Sequence, residues 1–215
     1  MPTLQATTPV DRAVTFWDRT AARYARRPVP DEAVYQEKLR ITRDYLRPDM
    51  DVLEIGCGTG STAISHAPYV RHVDAVDFSA EMIAIARQRA KVAGAANVAF
   101  RQAALDDLEP SAVRYDAVLA LSLLHLVPDR DAAIARIRAL LAPGGVFVSS
   151  TACIGERMGW MKAVAPVALR LGLFPPLRIF KADDLRRSLT AAGFAIEHDW
   201  QVGKGDTLFV VARRP

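Results

Sequence analysis

The run Asp51-Val52-Leu53-Glu54-Ile55-Gly56-Cys57-Gly58-Thr59-Gly60-Ser61-Thr62 places a carboxylate and three alternate glycines at the end of a short apolar stretch. Glycine tolerates the backbone angles of a tight turn and has no Cβ to hold a ligand off, so main chain here can lie directly against a flat or charged molecule. Ser61 to His66 begin a helix, whose free N–H groups and positive dipole end face the same space. The chemistry is that of a nucleotide-type site. The spacing argues against two common versions: Ser61 stands where a G-x-G-x-x-G dinucleotide fingerprint needs its third glycine, and no Gly-Lys-Ser/Thr follows for a phosphate P-loop. Asp77 lies 77 − 56 = 21 positions after the first glycine and ends the next apolar run.

These residues need a sheet edge to hold them. Asp51 to Ile55 reads as a buried strand. Two helices precede it. Val14, Trp17, Ala21 and Tyr24 share one face of the first; Tyr35, Leu39, Thr42 and Leu46 share one face of the second, which stops before Pro48. Arg27-Pro28-Val29-Pro30 is a stiff break between them. After the glycines, strand and helix alternate, the pattern of right-handed crossovers and a mostly parallel sheet. A strand from His72 to Val76 leads to a helix N-capped by Ser79, carrying Glu81 in its first turn and closed by Gly94. Strands follow at residues 97–101 and 115–120, then a helix from Asp129 to Leu141, and Pro143-Gly144-Gly145 turns into a fifth strand over 146–151. A helix from about Ala182 to Ala192 stops at Gly193, and residues 194–200 and 207–212 close the chain as an antiparallel pair joined by Gly203-Lys204-Gly205.

Glu54-Ile55-Gly56-Cys57-Gly58-Thr59-Gly60 resembles the first motif of the class I S-adenosylmethionine-dependent methyltransferases. The fold implied is α/β, a three-layer Rossmann-like sheet of seven mostly parallel strands with the last one antiparallel. The cofactor implied is S-adenosyl-L-methionine, leaving as S-adenosyl-L-homocysteine. Glu54, Gly56, Cys57, Gly58 and Gly60 then form its cradle, and Asp77 accepts from both ribose hydroxyls, a place where a carboxylate also serves as a helix cap beside Ser79. Phe78 and Met82 flank the adenine or belong to the core. Residues 101–108 stand where the family carries an acidic residue for the adenine amino group, but the aligned position is Ala104. That departure leaves the amino group to Asp106, a backbone carbonyl or water, while the backbone of Ala104 and Leu105 runs beside the ring. Tyr115 to Val127 resembles the family's fourth motif and its sequel: the chain leaves the strand near Leu121, with carbonyls turned to the methionine ammonium, and His125 either contacts the cofactor or packs in the core. Pro143-Gly144-Gly145 matches the last common motif, so the resemblance runs from Asp51 to Ser150.

In the implied reaction a nucleophile attacks the sulfonium methyl in line, and positioning with exclusion of water supplies most of the catalysis. No catalytic residue is identified by motif; by position, His125, Tyr24 and Glu156 are candidates for a base, and the cysteine spacing provides no metal site. The chain divides into an N-terminal helical lid (1–47) with Tyr24 or Trp17 touching ligand, a cofactor core (51–151), a substrate cap (153–181) and a closing helix and strand pair (182–215). Met158, Trp160, Met161, Leu169, Leu171, Leu173 and Phe174 make the cap apolar, which suits a small, largely apolar or lipid-like acceptor. Two other readings stand beside this one: a catalytically silent S-adenosylmethionine-binding protein, for which Ala104 speaks, and an NAD-dependent oxidoreductase.

The 215 residues suit one domain, and 51% hydrophobic with 24% charged is a soluble globular composition. The net charge is +4, but basic and acidic residues interleave, and no Asn/Asp-Pro-Pro-aromatic motif follows the fourth strand; a nucleic-acid partner is not expected. Two cysteines, no secretory start and no apolar run of membrane length indicate a cytoplasmic protein, monomeric or homodimeric.

Overall fold

The computed structural model describes residues 9–110, 114–155, 177–202 and 206–215. Helices α1 (Pro9–Ala25) and α2 (Glu32–Arg43) precede β1 (Asp51–Ile55), α3 (Ser61–His66), β2 (His72–Asp77), α4 (Ala80–Ala93) and β3 (Val98–Gln102). There follow β4 (Tyr115–Leu121), α5 (Arg130–Leu140), β5 (Leu141–Ala152), α6 (Ala182–Ala191), β6 (Ala195–Val202) and β7 (Thr207–Arg213). The seven strands form one sheet in the order β3-β2-β1-β4-β5-β7-β6. The pairs among β1 to β5 are parallel, and β7 runs antiparallel to both of its neighbours, as expected. The reversal of strand order between β1 and β4 opens the crevice in which such sheets bind ligands, at the carboxyl ends of the strands.

Alternation along each strand divides the core between two faces. Leu53, Val118, Phe147, Leu208 and Val210 pack under Ile134 and Ile137 of α5 and Leu185 and Leu189 of α6. Val52, Leu119, Val148, Phe209 and Val211 face Ile41 of α2, Ala63 of α3 and Ile83 and Ala86 of α4. The caps act as anticipated: Ser79 Oγ accepts the Met82 N–H, and Gly94 takes the left-handed angle that ends α4.

Three local expectations are revised. The second helix ends at Arg43 rather than running to Leu46, which sits in the turn that follows and still packs on the core. Pro143-Gly144-Gly145 lies inside β5, which begins at Leu141; the register slips between Tyr115 and Ala117, and Gly144 at φ +76° absorbs the irregularity as a bulge. The first helix rests on α4 rather than on the sheet. Residues 203–205, and the apolar cap residues from Met158 to Phe174, lie outside the described residues.

Candidate active site

Where β1 ends, the chain turns through Gly56, Gly58 and Gly60 at φ +69°, +51° and +79°. The N–H groups of Gly56 and Cys57 both donate to the Val76 carbonyl, at 2.8 and 3.0 Å, folding the turn across the end of β2. Asp77 then fastens it: one carboxylate oxygen accepts the Gly58 N–H and the other the Ser79 N–H, each at 2.9 Å. The three glycines do different jobs. A Cβ on Gly60 would lie 2.8 Å from the Phe100 ring and 2.9 Å from Ala86, and one on Gly56 would lie 2.9 Å from Leu123, so these two permit close packing. A Cβ on Gly58 would meet only the Tyr24 ring, at 3.9 Å, so its backbone faces open space.

Glu54 points from β1 into the same place and is only 3% exposed. It accepts the Ala63 N–H, but Oε2 has no hydrogen-bond partner among the described residues. Burial, reinforced by the charge of Asp77, pushes its pKa up to about 8. Asp77 is itself raised by burial, against the pull of its two backbone donors. Cys57 is a buried free thiol, pushed far above its ordinary range by desolvation.

Helix α1 covers this turn. Asp18 Oδ1 accepts from Ser79 Oγ at 2.5 Å, and Arg89 of α4 donates to the Ala25 carbonyl at 2.6 Å and to Thr59 Oγ1 at 2.7 Å. Trp17 meets Tyr24 edge-on with ring centroids 5.9 Å apart. Tyr24 keeps 45% of its surface exposed, yet partial burial and the carboxylates of Asp77 and Glu54 hold its hydroxyl above the usual phenol range. Tyr35 of α2 reaches Thr62 Oγ1 at 3.4 Å.

Met82 is buried at the start of α4, while Phe78 is half-buried and its carbonyl accepts from the Gln102 amide. The Ala104 N–H is capped by Asp107 Oδ2 at 2.8 Å, and Arg136 takes the Leu105 and Asp106 carbonyls. Those backbone acceptors are therefore already engaged, and the exposed Asp106 carboxylate stands beside them.

Beyond β4 the half-buried Leu121 is followed by Ser122, whose φ of +59° is the one positive value at a non-glycine residue among the described residues. Its N–H donates to the Ser150 carbonyl at 2.7 Å, turning the chain sharply off the sheet. His125 accepts the Ala152 N–H on Nδ1 at 3.4 Å, and its carbonyl takes the Arg178 N–H at 2.8 Å. Burial lowers the imidazole pKa to about 4.

Glu54, Gly58, Asp77 and Tyr24 thus meet at the glycine turn, Gly56 and Gly60 pack against the core behind it, Cys57 is buried in the turn itself, and Leu121 and His125 lie at the neighbouring strand end. Glu156 lies outside the described residues. Sequence reading did not single out Asp18, Lys38, Ser122, Ser150 or Arg89. A signal existed for Lys38, which falls on the inward face of α2 at helical spacing from Tyr35 and Thr42. For Ser122 there was none, because its angle is imposed by the β5 carbonyl.

Comparison with known proteins agrees with this geometry. Residues 52–145 match the model of a methyltransferase domain. A ubiquinone biosynthesis O-methyltransferase of Serratia proteamaculans (strain 568) is 32% identical over 128 residues, which are 59% of this chain and 52% of that protein. The uncharacterized methyltransferase YcgJ of Bacillus subtilis (strain 168) is 30% identical over 122 residues, 55% of this chain and 48% of the other. The chain spans about half the length, or less, of the curated relatives it matches. Among solved structures, DhpI in complex with SAH superposes with a TM-score of 0.76 at 26% identity, covering 98% of both chains. The N-methyltransferase NodS of Bradyrhizobium japonicum WM9, bound to S-adenosyl-L-homocysteine, shares the fold at a TM-score of 0.74 and 20% identity, over 95% of this chain and 100% of that one. With the sheet order and the glycine turn described above, residues 52–145 match a methyltransferase domain, and the chain shares the fold of methyltransferases bound to S-adenosyl-L-homocysteine.

Proposed function

We propose that the protein transfers the methyl group of S-adenosylmethionine to a small molecule. The observation that carries this reading is the orphaned Oε2 of buried Glu54, next to a glycine turn whose middle residue leaves its backbone open. An unsatisfied buried acceptor costs about 1–3 kcal/mol, which an ammonium group such as that of the methionine moiety relieves. Asp77 keeps lone pairs for the ribose hydroxyls after serving Gly58 and Ser79. Phe78, Ala104 and Leu105 line the adenine with Met82 behind them, Leu121 and His125 flank the methionine side, and Tyr24 closes over the turn.

When bound, the cofactor supplies an already activated electrophilic methyl group. The protein's part is then to orient the acceptor and exclude water, and orientation alone is worth about 7–11 kcal/mol. His125 accepts through Nδ1 and is neutral at pH 7, so its ring proton sits on Nε2 and it offers a donor rather than a base. Tyr24, with its hydroxyl pKa raised, stays protonated and is likewise a donor. Helix α1, latched by Asp18 and Arg89, acts as the lid.

An apolar acceptor fits the composition of residues 153–181. A small-molecule acceptor is in keeping with the ubiquinone biosynthesis O-methyltransferases among the relatives. No helix among the described residues is long and apolar enough to cross a membrane, and a cytoplasmic setting goes with this reading. A second reading is S-adenosylmethionine binding without methyl transfer. Ala104 in place of the family's acidic residue favours it, and a [4+2]-cyclase, SpnF, shares the fold at a TM-score of 0.69 and 21% identity.

Calorimetric titration with S-adenosylmethionine and S-adenosylhomocysteine, with NAD as control, tests the cofactor. Asp77→Ala should weaken binding roughly 10- to 100-fold, the worth of a charged hydrogen bond. Transfer of labelled methyl to a panel of small acceptors then separates enzyme from silent binder. Absence of S-adenosyl binding would sink both readings.

A further inference from the structure

Among the described residues the ammonium group of Lys38 has a single hydrogen-bond partner, at the carboxyl edge of the sheet. Helix α2 leads through residues 44–50 into the amino end of β1, so its own N-terminus lies toward the carboxyl edge of the sheet. Helical side chains lean toward the N-terminus, which aims Lys38 at that edge. There Nζ donates to Ser150 Oγ at 2.9 Å. Ser150 is buried near the end of β5, pairs with Leu121 at the end of β4, and receives the N–H of strained Ser122 on its carbonyl. Lys38 therefore stands over the ends of β4 and β5, across the β1/β4 switch point from the Gly58 and Asp77 that face the cofactor.

Its partners do not match its charge. An ammonium has three donors, and Ser150 Oγ, a neutral hydroxyl, takes one. Among the described residues no carboxylate lies within ion-pairing distance of Nζ. Half-burial lowers its pKa, and the charge that opposes this is Asp31 rather than Glu54 or Asp77. The same helix pairs its outward cation fully: Arg40 is held by both Glu37 and Asp44. A tether between α2 and β5 needs no charge, since a hydroxyl accepts equally from a neutral donor.

We propose that Lys38 is a specificity-determining residue that receives an anionic group, a carboxylate or phosphoryl, of the acceptor. This rests on the methyl-transfer reading and narrows its substrate class to apolar molecules bearing an anion. The carboxylate of the cofactor's methionine moiety has the same chemistry, so the test must tell the two apart.

The full chain saturated with S-adenosylhomocysteine is titrated with hexanoate, hexyl phosphate and 1-hexanol, and the titrations are repeated in Lys38→Gln and Lys38→Arg. The expected result is an anion preference over hexanol of about tenfold or more, the worth of a charged hydrogen bond, abolished in Lys38→Gln and kept in Lys38→Arg. Affinity for S-adenosylhomocysteine stays unchanged in both variants. The proposal is overturned if hexanol and the anions bind alike, if none binds, or if Lys38→Gln retains the preference. It is equally overturned if Lys38→Gln weakens S-adenosylhomocysteine about tenfold, which would assign the lysine to the cofactor. Failure of the methyl-transfer reading shows separately, as no S-adenosylhomocysteine binding by the unaltered protein or as binding with no transfer of labelled methyl to any acceptor.

Discussion

Adding one methyl group at Gly58 or at Gly60 separates ligand binding from folding within a single turn. Both positions have positive φ, so alanine pays about 1–2 kcal/mol of left-handed strain at either, offset by about 0.4–1 kcal/mol from the stiffer unfolded chain. At Gly58 little else changes, because the new Cβ meets Tyr24 at an ordinary 3.9 Å. At Gly60 it arrives 2.8–2.9 Å from Phe100 and Ala86, both held in the core, and overpacking adds about 1–3 kcal/mol. Gly60→Ala should therefore lose about 2–4 kcal/mol in all and melt roughly 4–16 °C lower, while Gly58→Ala loses about 1 kcal/mol and 2–4 °C. Ligand affinity runs the other way. On the proposed reading the Gly58 Cβ enters the space where the cofactor touches backbone, and the same overpacking cost of about 1–3 kcal/mol appears as a roughly 10- to 100-fold weaker Kd for S-adenosylhomocysteine. Thermal melts and calorimetric titrations on the two variants read both quantities. A Gly60→Ala protein that melts with the unaltered chain, or a Gly58→Ala protein that binds undiminished, refutes the division of roles.

The elevated pKa of Glu54, about 8, predicts a pH-dependent Kd. Below that value the free protein carries a proton on Glu54 that an incoming ammonium must displace, so affinity for S-adenosylhomocysteine should rise as pH goes from 6 to 8, by up to about tenfold per unit, and then level off. Glu54→Gln should flatten the profile; a flat profile in the unaltered protein would show that Glu54 does not meet the ammonium. His66 gives a stability test. It is 0% exposed, neither ring nitrogen has a partner among the described residues, and burial lowers its pKa to about 4. Between its unfolded pKa of about 6.5 and 4 the unfolded chain binds the extra proton, so stability falls as pH falls; from pH 7 to 5 the loss is about 2 kcal/mol. His66→Leu should remove that increment in urea melts at the two pH values, and equal losses in both proteins would count against it.

Local chemistry made the cofactor half of this protein readable in advance. Glycines at alternate positions after an apolar run mark a turn that glycine favours, Asp77 follows at the length of one helix and one strand, and Ser79 by its hydroxyl and Gly94 by its left-handed backbone punctuate α4. Strand and helix alternation likewise pointed to a mostly parallel sheet, while the closing antiparallel pair was read from the Gly203-Lys204-Gly205 connection and the count of seven strands from the family resemblance. Three things depended on tertiary structure. The bulge at Gly144 follows from strand register rather than from local propensity. The different duties of Gly58 and Gly60 follow from what stands opposite each, Tyr24 at a distance or Phe100 in contact, and sequence spacing treats the two alike. The charge states of Glu54, His66 and His125, and the placing of the Lys38 ammonium over Ser150, arise from burial and distant partners. A chain's local rules state where a carboxylate or lysine stands in an element, but only packing decides how much water it keeps and which charge, if any, it meets.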